Sequence, residues 1–191
     1  MKALICLDFE NDIVHPQGKA AGKGYAAYNS RHGTLAIVRR VQDQFRAAGL
    51  PVLHVRVGFS PGYAQQPKGS PLMGKAHEFG VFNLAGWGGA FMEEVAPQGE
   101  ELVITKHRVG AFFGTSLDLS LKTMGIKQVY LAGVATDMAV ESAAREAHDR
   151  DFAVHVIADC CIAASDEDHE RSLVNMKKLA TICHSTELNL G

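Results

Sequence analysis

Asp8 and Lys106 are the charged residues best placed to do chemistry in this sequence. Asp8 closes the apolar run Ala3-Leu-Ile-Cys-Leu7, and Lys106 follows Glu101-Leu-Val-Ile-Thr105. The first run has the composition of a strand buried on both faces of a parallel sheet, the second reads as a further strand, and such sheets bind ligands outside the carboxyl ends of their strands. A carboxyl beside an ammonium in one crevice can give or take a proton while the lysine balances its charge. A third apolar run, Val129-Tyr-Leu-Ala132, passes through Gly133, which supplies a turn, into Val134-Ala-Thr-Asp-Met-Ala139. This reads as a tight turn and a helix start, with Thr136 or Asp137 placed to cap the helix and the first backbone N–H groups forming an anion site. A strand-end Asp alone commonly caps a turn, and a strand-end Lys alone is commonly a solvated charge. Three strand ends together make a site.

Those residues need elements that converge. Leu35, Val38, Val41, Phe45 and Ala48 recur at helical spacing, and Gly49-Leu-Pro51 stops that helix. Pro51-Val-Leu-His-Val-Arg-Val57 is a further strand. Later come a helix over 115–124, a strand over 128–132, a helix over 137–149, a strand over 153–158, a helix over 167–179 and a short strand over 180–183. Strands alternating with helices predict an α/β protein: a three-layer α/β/α sandwich around a mostly parallel, roughly six-stranded sheet. No repeat, low-complexity tract or linker interrupts the pattern, so residues 1–191 are expected to form one domain.

Residues 58–99 break the alternation, with Pro61, Pro67, Pro71, Pro97 and the single tryptophan, Trp87. Loops of such length usually serve as lids, binding loops or oligomer contacts. Left uncovered, Phe79, Phe82, Trp87 and Phe91 would form an aromatic cluster of the kind that marks interfaces. The segment is therefore expected to cover the crevice mouth or a subunit contact, and the protein to be a homo-oligomer.

A chain of 191 residues that is 47% hydrophobic can close one full core. Its formal charge of −2, with scattered lysines and arginines, offers no long-range attraction for nucleic acid or an anionic membrane, which leaves a small molecule as the expected partner. Cys6, Cys160, Cys161 and Cys183 all sit in apolar segments and read as reduced core thiols of a cytoplasmic protein. Met1-Lys2 leads straight into the first strand, and no apolar run approaches the ~20 residues of a membrane span.

Three motifs in order carry a resemblance. Leu7-Asp-Phe-Glu-Asn-Asp12 is similar to L-I-D-x-Q-N-D-F, Ile104-Thr-Lys-His-Arg-Val-Gly-Ala-Phe112 to I-x-K-x-x-x-x-A-F, and the stretch from Gly133 to Arg145 to G-V-x-T-D-x-C-V-E-S-T-A-R. All three patterns are those of the isochorismatase-like cysteine hydrolases, and the resemblance spans nearly the whole chain. It implies a Rossmann-like fold, no cofactor, and a site in which Asp8 is the acid/base and Lys106 its partner. Val134, Ala135 and Thr136 would form the oxyanion or anion-binding turn, with a cis Val134–Ala135 bond. The nucleophile position is held by Ala139, whose methyl group has neither lone pair nor labile proton.

Three readings follow from that alanine. In the first, the protein acts as the cysteine-free isochorismatases do, cleaving an enol ether by general-acid hydrolysis. Asp8 would protonate the vinyl carbon, and water would attack the resulting oxocarbenium carbon. Lys106 should lower the pKa that burial must raise, and Phe9 and Phe113 are candidates to supply the desolvation. In the second, a cysteine amidase has been disabled by Cys→Ala at 139, although Ala143 also departs from the usual turn. In the third, the protein binds a small molecule without catalysis. Phe9, Arg108, Phe113 and Trp87 are candidate substrate contacts, Arg108 through its planar fork to a carboxylate. Cys160, Cys161 and Cys6 read as structural. No metal is expected, because His54-Val-Arg56 lacks the Asp-x-His-x-x-His arrangement of the zinc-binding relatives and the other histidines are dispersed.

Overall fold

The computed structural model describes residues 1–191. In chain order the elements are β1 (Lys2–Leu7), α1 (Asn11–Val14), α2 (Tyr25–His32), α3 (Thr34–Ala47), β2 (Val52–Val57), α4 (Ala76–Phe79), β3 (Val103–Lys106), α5 (Leu117–Thr123), β4 (Gln128–Val134), α6 (Glu141–His148), β5 (Ala153–Ile162), α7 (Asp166–Met176) and β6 (Thr181–Cys183). The six strands form one sheet in the order β3-β2-β1-β4-β5-β6, and every pairing is parallel. This is the Rossmann strand order, which reverses direction between β1 and β4 and opens a crevice at their carboxyl ends.

Alternation along β1 divides two cores. Leu4 and Cys6 face α3, whose Leu35, Val38, Val41 and Phe45 are buried against them, whereas Ala3, Ile5 and Leu7 face the opposite layer. That layer is built from Leu117 and Leu121 of α5, the alanines Ala143, Ala144 and Ala147 of α6, and Leu173 and Met176 of α7. A sheet sealed on both faces explains why its strands read as unbroken apolar runs. No helix is long and apolar enough to cross a membrane.

Several boundaries differ from the sequence reading. β4 extends to Val134 and β5 to Ile162, because the register resumes after an irregularity between Leu131 and Gly133, pairing Gly133 with Cys161 and Val134 with Ile162. Gly133 therefore lies within the strand rather than forming the turn. A side chain there would meet the Leu7 Cβ at 2.6 Å and the Leu7 carbonyl oxygen at 2.8 Å, so close strand approach is what requires glycine. The expected helix over 137–149 is divided into a single π turn, Thr136–Val140, and α6. Helix α2 escaped the reading because it buries only Tyr28.

Candidate functional site

β1 ends by turning the chain sharply. Asp8 adopts φ 58°, a left-handed conformation that aspartate tolerates better than most side chains, while its N–H still donates to the Val55 carbonyl at 2.8 Å. The turn directs the carboxylate across β2 to the end of β3, where Lys106 Nζ lies 2.7 Å from Asp8 Oδ2. Lys106 is 1% exposed, and its ammonium also donates to the Val109 carbonyl at 2.6 Å. That second bond folds the chain after β3 back over the pair. Burial holds the Asp8 carboxyl above the ordinary range, against the opposing pull of the Lys106 charge.

Glu10, two residues on, is fully buried. Its Oε2 accepts from the Val57 N–H at 3.2 Å, and Val57 is the register partner of Lys106, so Glu10 lies against the same strand ends as the ion pair. Glu10 Oε1 and Asp8 Oδ1 have no hydrogen-bond partner within the protein. Burial, reinforced by the neighbouring Asp8 charge, pushes the Glu10 carboxyl well above its usual value. Glu10 occupies the glutamine position of the L-I-D-x-Q-N-D-F pattern, and that departure was the available sequence signal for it.

The next two residues hold the long segment in place. Asn11 Nδ2 donates to the Trp87 carbonyl at 2.9 Å, and the Asp12 carboxylate accepts from the Phe82 N–H at 2.7 Å. Gly88 packs so closely on the Asp12 carboxylate that no side chain fits there. The segment thereby brings Leu72, Met73 and Phe82 over the crevice.

On the β4 side, the Val134–Ala135 bond is cis, as expected. The π turn places Ala139 on the crevice wall. Neither Thr136 nor Asp137 caps the turn, since Ala135 is the cap residue and no side chain contributes. The Thr136 hydroxyl points backwards instead, 3.1 Å from the Ile162 carbonyl and 2.9 Å from His169 Nδ1. A carbonyl only accepts, so the hydroxyl donates to Ile162 and His169 Nδ1–H donates to the hydroxyl. Burial lowers the affinity of His169 for a second proton, consistent with a neutral ring. Ser172 Oγ lies 3.1 Å from the Thr136 carbonyl and 2.6 Å from Glu141 Oε2, tying the turn to α7.

Asp8, Lys106, Val134, Ala135 and Ala139 thus line one cavity, open to solvent, whose remaining walls are mostly apolar. Lys23 stands at its rim, and Tyr25 and Met138 also line it. None of the lining residues carries a thiol or an aliphatic hydroxyl. Phe9 is buried in the core beside α3 and does not line the cavity. Thr136 supports the turn from behind. Phe113 is 65% exposed and cannot desolvate Asp8, while Arg108 donates to the Gln65 and His107 carbonyls and shares a separate surface groove with Phe113. Trp87 lines a different groove with His15 and Arg39. His54 bonds to Glu101, at 2.9 Å, and does not line the cavity. Burial pushes the Cys6 and Cys161 thiols up to about 12 and raises that of Cys160 as well.

Residues 2–187 match the family model of the isochorismatase domain. The uncharacterized isochorismatase family protein YecD of Escherichia coli O157:H7 is 34% identical over 176 residues, covering 90% of this chain and 85% of that protein. The ureidoacrylate amidohydrolase RutB of Stutzerimonas stutzeri is 30% identical over 177 residues, covering 86% and 71%. Among solved structures, the N-carbamoylsarcosine amidase from Thermoplasma acidophilum superposes with a TM-score of 0.77 at 26% identity, covering 98% of each chain.

Proposed function

The chain belongs to the isochorismatase family, and on that premise we propose that it is a small-molecule hydrolase working by general-acid catalysis without a covalent enzyme intermediate. The observation that carries the reading is the cavity itself: a buried carboxyl–ammonium pair faces a wall with no thiol and no aliphatic hydroxyl. What such a site can supply is a proton, apolar surroundings and a nearby positive charge. With an enol ether bound, Asp8 donates its proton to the terminal vinyl carbon, forming a C–H bond and an oxocarbenium ion. Water attacks that carbon and returns a proton to Asp8. The resulting hemiketal collapses by breaking the ether C–O bond, its hydroxyl proton passing to the leaving oxygen, and releases an alcohol and a carbonyl compound, a keto acid where the vinyl carbon bore a carboxylate. Lys106 stabilises the Asp8 carboxylate between the two proton transfers, and burial, which raises the pKa of Asp8, eases its protonation ahead of the transfer to substrate.

A second reading is a C–N hydrolase that has lost its thiol. It is favoured by the likeness to an amidohydrolase and an amidase. Turnover of enol ethers, isochorismate first, assayed by pyruvate release, tests the first reading. Asp8→Asn is expected to lower it by at least ~10²–10⁴-fold, the usual contribution of a general acid. An Asp8→Asn protein as active as its parent would remove Asp8 from the mechanism.

A further inference from the structure

We propose that Glu10 is the proton store of this site, a buried carboxylic acid that shares one proton with Asp8 and makes Asp8 competent as an acid. The inference rests on the general-acid reading above. Its starting point is geometric. Asp8 and Glu10 leave one oxygen each without a partner, fully enclosed, beside a single ammonium that is bonded to the opposite oxygen of Asp8. Two ionised carboxylates here would exceed the one ammonium bonded to the pair, with two of their oxygens buried and unpartnered. Adding one proton to the pair balances its charge against Lys106 and supplies a hydrogen where two buried oxygens have no partner. The charged groups facing Glu10 are Asp8 from the end of β1, Lys106 from β3 and Arg56 from β2. Arg56 is half-buried, bonds to Thr105 Oγ1 and the Gly89 carbonyl, and keeps its charge but acts on Glu10 less than Asp8 or Lys106 does, while Asp12 of α1 is turned to the Phe82 and Lys19 amides.

The cycle balances. At rest the proton sits on Glu10 and Asp8 is ionised beside Lys106. Transfer from Glu10 to Asp8 arms the acid, and Asp8 passes the proton to the substrate carbon. The attacking water then returns one proton to Asp8, restoring the singly protonated pair. Glu10 never touches substrate and acts through Asp8, so it is a positioning residue, and the pair titrates as a unit.

The test uses the full-length protein and Glu10→Gln. Carbon-13 NMR of the free parent protein, labelled at glutamate side-chain carboxyls, is expected to show one glutamate still protonated near neutral pH, with that signal missing in the variant. In turnover, glutamine can hold the Val57 amide contact and donate to Asp8 but has no proton to give. The alkaline limb of the kcat profile should therefore move to lower pH, with kcat near neutrality falling at least about tenfold, activity recovering in acid and KM unchanged. A merely structural glutamate would leave the limb in place. Glutamates that are all ionised near neutral pH in the parent, or a Glu10→Gln limb identical to the parent's, would overturn the proposal. The NMR measurement needs neither turnover nor a folded variant, so a failure of the general-acid reading is distinguishable from a failure of this one.

Discussion

Replacing Lys106 by Met keeps an apolar stem of similar reach and deletes the charge that balances the buried carboxyls. At the observed separation of 2.7 Å, the attraction is about 6 kcal/mol at an effective dielectric constant of about 20. Part of that only offsets the desolvation of the two ions, and removing one member of a buried pair costs about 3–5 kcal/mol in practice. The hydrogen bond to the Val109 carbonyl goes as well. For a chain of this size such a loss lowers the melting temperature by roughly 6–20 °C. The pH dependence identifies the cause. Asp8 and Glu10 are raised in the folded protein, so their contribution to stability is fully present below their unfolded values near 4 and is lost as pH rises through the folded ones. Without the lysine those folded values climb further, and the loss deepens on the alkaline side. Below the carboxylate range Lys106 is a buried charge beside neutral partners, and its removal should cost nothing or stabilise. Urea unfolding of parent and Lys106→Met, followed by circular dichroism from about pH 4 to pH 8, reads this directly. A deficit under about 1 kcal/mol at every pH, or one that does not change with pH, would refute the description of a buried, charge-balancing pair.

Ala139→Cys should place a thiol at the turn beside Lys106 and make it react with iodoacetamide near neutral pH, with little background because burial raises the native Cys6, Cys160 and Cys161. Gain of amide hydrolysis by this variant, with no enol ether turned over by the parent, would favour the second functional reading over the first. Phe79 and Trp87 of the long segment are 61% and 53% exposed, and a homo-oligomer is expected in sedimentation velocity at micromolar concentration; a monodisperse monomer would contradict it.

The strand ends were legible because a sheet buried on both faces needs continuous apolar runs, and a charge that closes such a run stands out. Asp8 and Lys106 were found that way, and the crevice between β1 and β4 follows from the strand order. Side chains on the connections were not legible in the same way. Phe113 and Arg108 lie within a few residues of Lys106, yet the ammonium's bond to the Val109 carbonyl folds this loop back while both side chains face outward, and no periodicity encodes that turn. Trp87 is held by its own carbonyl, to Asn11, which leaves the indole on another face.

Glu10 shows the limit most clearly. A glutamate between a phenylalanine and an asparagine has the local appearance of a solvated loop residue. Its burial comes from distant partners: the antiparallel bridge to Phe91 and the Val57 amide that its carboxylate meets. The same contacts that hide it from pattern reading place it beside Asp8, because the chain that turns at Asp8 must re-enter the interior to hold the long segment through Asn11 and Asp12. The anchors of the long segment and the two buried carboxyls therefore come from one short stretch, residues 8–12. A substitution at Glu10 should register in the acid–base behaviour of the site, whereas one at Asp12 should register first in the cover over the cavity.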